Sequence, residues 1–274
     1  MARPSAAKKP MIGFGNPLLD GGPADADDRQ SARDFKRCPI PQRVASNARS
    51  IRGVAPLTTR GGLADPASLR EAQPLPETAF ELCAVARDLH ADPDEIYLGA
   101  RATEREVKAL SKSGQLAQYR IMHFATHGAL SGQVSGNSEP GLLLTPPDTP
   151  SEEDDGYLTA SEIAGLKLDA DWVILSACNR GGPRIGRGSL IGPRPRFFYA
   201  QARALLVSHW EVVSDATVKL ITGAMRRLAA DKTMGRAEAM RQSMLALIDK
   251  GEPREAHPAF WAPFVVVGEG GAER

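Results

Sequence analysis

Tyr-Arg-Ile-Met-His-Phe-Ala-Thr-His-Gly at 119–128 decides how this chain is read, together with Asp-Trp-Val-Ile-Leu-Ser-Ala-Cys-Asn at 171–179. Each is an apolar run that reads as a buried strand and stops at a reactive side chain, His127 in the first and Cys178 in the second. Near-continuous apolar strands belong to parallel sheets covered on both faces. If the two strands run parallel in one sheet, both ends emerge at the carboxyl edge, where open α/β sheets bind ligands. A histidine beside a cysteine at that edge is a proton acceptor beside a nucleophile.

Working outward, strands and helices alternate from 76 to 268. Pro76 to His90 carries Phe80, Leu82, Cys83, Val85, Ala86 and Leu89 on one stripe and reads as a helix with proline in its first turn. Ile96–Leu98 reads as a short strand. Thr103 to Lys112 reads as a helix, with Thr103 and Glu106 spaced as a capping box. Leu142–Leu144 is a further short strand, and Thr159-Ala-Ser-Glu opens a short helix. Ala204–Ser208 follows as a strand, Ser214–Ala229 and Gly235–Lys250 as helices, and Phe264–Val267 as a last strand. This order predicts an α/β domain over 76–270 with a largely parallel sheet. Residues 1–75 are rich in Pro, Gly, Arg, Asp and Ser. Only Met11–Gly15 reads there as a strand, and the remainder is expected to be poorly ordered.

Composition narrows the class. The 274 residues are 42% hydrophobic and 24% charged, with a formal net charge of +1. Nothing in that balance argues for a nucleic-acid or membrane partner. No apolar run approaches the roughly 20 residues that cross a bilayer, and the N-terminus lacks a signal-peptide apolar segment. A cytoplasmic location is the expectation. The three cysteines, Cys38, Cys83 and Cys178, are widely spaced with no C-x-x-C pair. Their odd count argues against a disulfide framework or a zinc ribbon, and for free thiols in a reducing compartment.

The candidate chemistry centres on three residues. Cys178 has a competing reading as a buried structural thiol, but Asn-Arg-Gly-Gly-Pro follows it, a loop that exposes a strand end. Arg180 nearby favours the thiolate. His127 reads as the base for that thiol, against a plain loop histidine. Gly128 lets the chain turn and leaves its amide open to face a substrate carbonyl oxygen. His123 and His127 are about 13 Å apart along a strand, too far to share one metal ion. No metal or cofactor is expected. Ser176 and Ser208 lack a G-x-S-x-G elbow, and Gly13-Phe-Gly15 and Gly186-Arg-Gly188 lack the context of a dinucleotide loop. The acidic stretch Glu152–Asp155 reads as a solvated loop. Asp155, Glu211 and Asp215 are the candidates for attracting a basic substrate side chain if they reach the cysteine edge.

His-Phe-Ala-Thr-His-Gly at 123–128 and Leu-Ser-Ala-Cys-Asn at 175–179 resemble the two signature motifs of CHAT domains, which group with caspases, separases and gingipains. Further matches keep the family's order: Gly13-Phe-Gly-Asn-Pro17, Leu75-Pro-Glu-Thr78, Asp155-Gly-Tyr-Leu-Thr-Ala-Ser-Glu-Ile163, Phe197–Ala200, Leu206–Trp210 and Pro258–Phe264. The resemblance implies a caspase–hemoglobinase-like three-layer sandwich that begins partway into the family's domain. It implies a His127–Cys178 dyad, with the Gly128 and Cys178 amides holding the oxyanion. It implies a cysteine endopeptidase acting on a protein or peptide in a regulated bacterial signalling or defence pathway, with an upstream sensor or repeat module as partner. The chain departs from its relatives at Arg180, at Gly192-Pro-Arg-Pro-Arg196, at Gln201 in place of a usual glycine, and at Val213. No third catalytic side chain is evident, which leaves a backbone carbonyl to orient His127. The competing expectation is a catalytically impaired peptidase fold acting as a protein-binding scaffold.

Overall fold

Tyr119–Ala125 is a strand (β5), and its side chains alternate between two buried layers, as a strand's period of two requires. A computed structural model describes residues 5–38, 57–60, 62–129, 134–135, 139–176, 194–208 and 214–271. The other strands are β1 (Lys9–Gly15), β2 (Leu57–Arg60), β3 (Leu63–Ala64), β4 (Ile96–Leu98), β6 (Gly128–Ala129), β7 (Val134–Ser135), β8 (Gly141–Leu143), β9 (Tyr157–Thr159), β10 (Trp172–Leu175), β11 (Ala204–Ser208) and β12 (Phe264–Gly268). The helices are α1 (Ala26–Asp34), α2 (Pro66–Arg70), α3 (Glu77–Asp88), α4 (Glu104–Lys112), α5 (Ala160–Ala164), α6 (Arg194–Tyr199), α7 (Ser214–Ala230) and α8 (Arg236–Lys250).

The central sheet has six strands in the order β12-β11-β10-β5-β1-β4. All neighbours run parallel except the β11–β12 pair. The sheet is largely parallel, as the alternation of strands and helices predicted; β12 is its one antiparallel strand. Two helices in succession, α7 and α8, separate it from β11, and a second reversal brings the chain back at the edge where β11 ended. The helices pack on each other closely: Ser243 on α8 donates to the Leu220 carbonyl on α7 at 2.8 Å. A Cβ at Gly223 would lie 2.4 Å from that serine oxygen.

One face of the sheet is covered by α3, α7 and α8, which bring Leu82, Val85, Leu220, Ile221 and Met240 against Met11, Ile174 and Leu206. The other is covered by α4, α5 and α6, through Val107, Ile163 and Phe197 against Ile12, Phe14 and Val173. This is a three-layer α/β/α arrangement of the kind the sequence predicted. An aromatic row crosses the second face. Phe14 stacks on Tyr97 at 5.0 Å and on Phe124 at 5.3 Å between centroids. On the first face, Gly13 and Gly15 let α3 come down onto β1: a Cβ at Gly15 would meet Leu82 at 2.6 Å and the Ala125 carbonyl at 2.8 Å. These glycines shape helix–strand packing and not a phosphate loop.

Helix starts follow their caps. Thr103 accepts from the Glu106 amide at 3.1 Å, and Thr159 with Glu162 forms the full reciprocal box on α5. Pro195 falls in the first turn of α6, where a missing N–H is harmless. Residues 20–74, read from sequence mainly as loop, contain α1, β2, β3 and α2. The cysteine argument is corrected outright. Cys38 and Cys83 form a disulfide with Cα atoms 5.4 Å apart. Cys83 sits on α3 and Phe35, just before Cys38, packs on Phe80 of the same helix; spacing along the chain does not register that proximity. Among the described residues, no helix is long and apolar enough to cross a membrane.

Candidate functional site

His127 lies two residues past the end of β5, at the carboxyl edge of the sheet, and is 2% exposed. Its backbone is held by β8: the Leu143 amide donates to the His127 carbonyl at 2.9 Å, and the Thr126 hydroxyl donates to the Leu143 carbonyl. That bond makes Gly128 and Leu142, which face each other across β6 and β8, a non-hydrogen-bonded pair. The Gly128 N–H is therefore turned away from β8.

The imidazole is oriented by a main-chain atom. His127 Nε2 lies 2.7 Å from the Gln73 carbonyl oxygen. A carbonyl only accepts, so Nε2 carries the proton and Nδ1 is the basic nitrogen of the neutral ring. Gln73 lies in the segment between α2 and α3, a neighbourhood that no side-chain pattern signals.

β10 runs beside β5, pairing Ile174 with His123 and Leu175 with Phe124. Its exit continues the register, with the Ser176 amide donating to the Phe124 carbonyl at 3.1 Å. Cys178 lies outside the described residues, as do Arg180, the 186–188 glycines, His209, Glu211 and Val213, and the side chain of Asp215. With Cys38 bonded to Cys83, Cys178 has no other cysteine in the chain to pair with.

Asp155 is engaged within the chain. One carboxylate oxygen accepts from the Ala64 amide at 2.7 Å and the other from the Tyr157 amide at 2.9 Å. The acidic stretch around it leans on α4, with Glu152 and Glu153 solvated as expected and Asp154 buried. Lys112 pairs with Glu153 at 3.0 Å and Arg105 with Asp154 at 3.5 Å. Beneath them, the buried Glu104 carboxylate accepts from the Asp155 and Gly156 amides at 2.8 and 2.9 Å. Lys108 bridges Glu104 and Glu162 at 2.5 and 2.6 Å. Burial pushes the Glu104 carboxyl up to about 8, with the Lys108 hydrogen bond opposing it and the charge of Glu162 adding to it.

A second buried polar group was not anticipated from sequence. Glu81 of α3, His123 of β5 and Ser176 are 3%, 0% and 7% exposed. His123 Nε2 is 3.0 Å from Ser176 Oγ and 2.8 Å from Glu81 Oε1. The signal that was available is an acid in the buried part of α3, where unpaired carboxylates are rare. Among the described residues, no group of three His, Cys, Asp or Glu side chains is placed to hold a metal ion. A cavity of about 450 Å³ opens at the opposite, amino edge of the sheet, near Lys8, Arg120, Asp171, Trp172 and Arg236. Arg120 and Asp171 pair there at 2.6 Å, away from the edge that carries His127.

Tetratricopeptide repeat protein 28 of Mus musculus is 25% identical over 226 residues, 71% of this chain and 9% of that protein. The chain therefore spans less than a tenth of the length of that relative. The CHAT domain, a family with a caspase-like peptidase fold, matches residues 25–269, and on that match the chain belongs to the CHAT domain family.

Proposed function

We propose that this chain is a cysteine endopeptidase in which His127 deprotonates Cys178 and the thiolate attacks the scissile carbonyl of a protein or peptide. The observation that carries the reading is the anchored imidazole. The Gln73 carbonyl holds the Nε2 proton, which leaves Nδ1 as the base at the carboxyl edge. Cys178 is two residues beyond Ser176, which lies against the end of β5. Two residues span at most about 7 Å, and the proposal takes the sulfur to act at that edge. The outward-turned Gly128 amide and the Cys178 amide are the proposed oxyanion donors. His127 then protonates the leaving amine, and water releases the acyl-enzyme. Membership of a family related to cysteine peptidases supports the assignment. The mouse relative is named for tetratricopeptide repeats, and a repeat module is accordingly the proposed gating partner.

A second reading, a catalytically impaired scaffold that binds proteins, is favoured by one observation: His127 is only 2% exposed. A fluorescent acyloxymethyl ketone separates the two. The peptidase reading expects labelling of the wild-type protein at Cys178, located by mass spectrometry. It expects no label in Cys178→Ala, and a rate at least about 100-fold lower in His127→Ala. A folded wild-type protein that takes no label supports the scaffold and overturns the peptidase.

A further inference from the structure

We propose that Glu81, His123 and Ser176 form a buried positioning unit that fixes the exit of β10 and thereby aims the Cys178 thiol. The proposal rests on the peptidase reading above and adds to it three residues that make no contact with substrate.

The three groups come from three elements and meet at one atom. His123 lies in the middle of β5, on the same sheet face as Ile121 and Ala125. Its surroundings there are apolar: Ala79, Leu82, Ala125 and Ile174 belong to the same buried layer. A leucine or methionine at 123 would suit that layer, and a buried carboxylate and imidazole cost free energy that aliphatic side chains do not. Nε2 makes a hydrogen bond with Ser176 Oγ at 3.0 Å. Glu81 Oε1 is 2.8 Å from the same nitrogen yet satisfies no hydrogen-bond geometry, so it lies off the N–H direction and acts through its charge. A carboxylate beside Nε2 favours the tautomer that carries hydrogen there. Among the described residues Nδ1 has no partner, and the ring's polar contacts there run through Nε2.

The arrangement is not a serine-nucleophile triad. Such a relay puts the carboxylate on one ring nitrogen and the hydroxyl on the other, whereas here both converge on Nε2 and the serine is 7% exposed. What it does is hold Ser176 by both its side chain and its main chain, the hydroxyl also donating to the Phe124 carbonyl at 3.5 Å. The side chain is bonded to His123, and the main-chain amide is bonded to the Phe124 carbonyl at 3.1 Å. Ser176 is the last described residue before the segment that contains Cys178, and the chain leaves for the nucleophile from this doubly fixed point. Displacement of a reacting atom by about 1 Å costs on the order of 100-fold in rate, so loss of this anchor should appear in the chemical step.

The test measures inactivation by the same acyloxymethyl ketone, resolved into the maximal rate kinact and the half-saturating concentration KI. Ser176→Ala is expected to lower kinact by about 10- to 100-fold with KI unchanged. Glu81→Gln, which keeps shape but not charge, is expected to lower it in the same direction by less. Ser176→Thr, which retains the hydroxyl, is expected to restore most of the rate. A purely structural role predicts something else: fewer molecules take the label, and those that do react at the wild-type rate. That result, or wild-type kinact in both Ser176→Ala and Glu81→Gln, overturns the proposal. Absence of labelling in the wild-type protein overturns the peptidase reading itself and this proposal with it. The two failures are told apart by which protein fails.

Discussion

Gln201 holds φ at +73°, in the left-handed region where a Cβ crowds the neighbouring carbonyl. Its side chain is exposed and offers no packing to offset that strain. Glycine is the residue expected there from the family's pattern, and the backbone explains why. Gln201→Gly should stabilise the chain by about 0.5–1 kcal/mol, the relief of left-handed strain less the greater unfolded-state freedom of glycine; urea unfolding measures it, and a loss of stability refutes the account. The place of His127 just past the end of β5 was legible because an apolar run ends there. That a main-chain carbonyl orients His127 follows from the lack of a third catalytic side chain; that the carbonyl is Gln73's does not, since a main-chain atom leaves no mark in side-chain composition. His123 shows the converse. Its sequence environment reads as ordinary strand, and only the folded chain brings Glu81 and Ser176 to it across separate elements.

At the scale of elements, the Thr caps on α4 and α5 could be read directly, because Thr-x-x-Glu encodes its own hydrogen bonds, although on α4 the Thr103 half forms without the reciprocal Glu106 bond. The direction of β12 could not, because it depends on how α7 and α8 stack. Nor could the docking of the acidic loop on α4, which depends on tertiary pairing with Arg105, Lys108 and Lys112. That docking carries a titration. With the Glu104 carboxyl raised from 4.5 to about 8, the folded chain keeps a proton that the unfolded chain releases. The associated stability is complete below pH 4.5, declines as pH rises towards about 8, and is absent above. Glu104→Gln keeps an acceptor for the Asp155 and Gly156 amides and removes the titration. The stability of wild type relative to Glu104→Gln should therefore fall between pH 5 and pH 8, by no more than about 1.4 kcal/mol per pH unit. Urea unfolding at four pH values checks it, and a difference that grows with pH contradicts the assignment.

For the whole molecule, alternation of apolar strands and amphipathic helices carried the three-layer architecture, because burial on both sheet faces imposes that pattern. Counting cysteines failed, since an odd number says nothing about which two meet. The Cys38–Cys83 bond closes a separation of 45 residues and fastens the segment after α1 to α3. Chain entropy assigns a crosslink of that span about 4 kcal/mol. Cys83→Ala should lose stability of that order under oxidising conditions and match wild type once dithiothreitol is present; equal midpoints in both buffers dismiss the crosslink. The attachment of His127 to Gln73 bears on how such a protein is probed. A scan that trims side chains one at a time leaves the Gln73 oxygen where it is, whatever residue carries it. Shortening the 71–76 connector by one residue pulls that oxygen away, so deletions there, and not substitutions, are what would unmoor the ring.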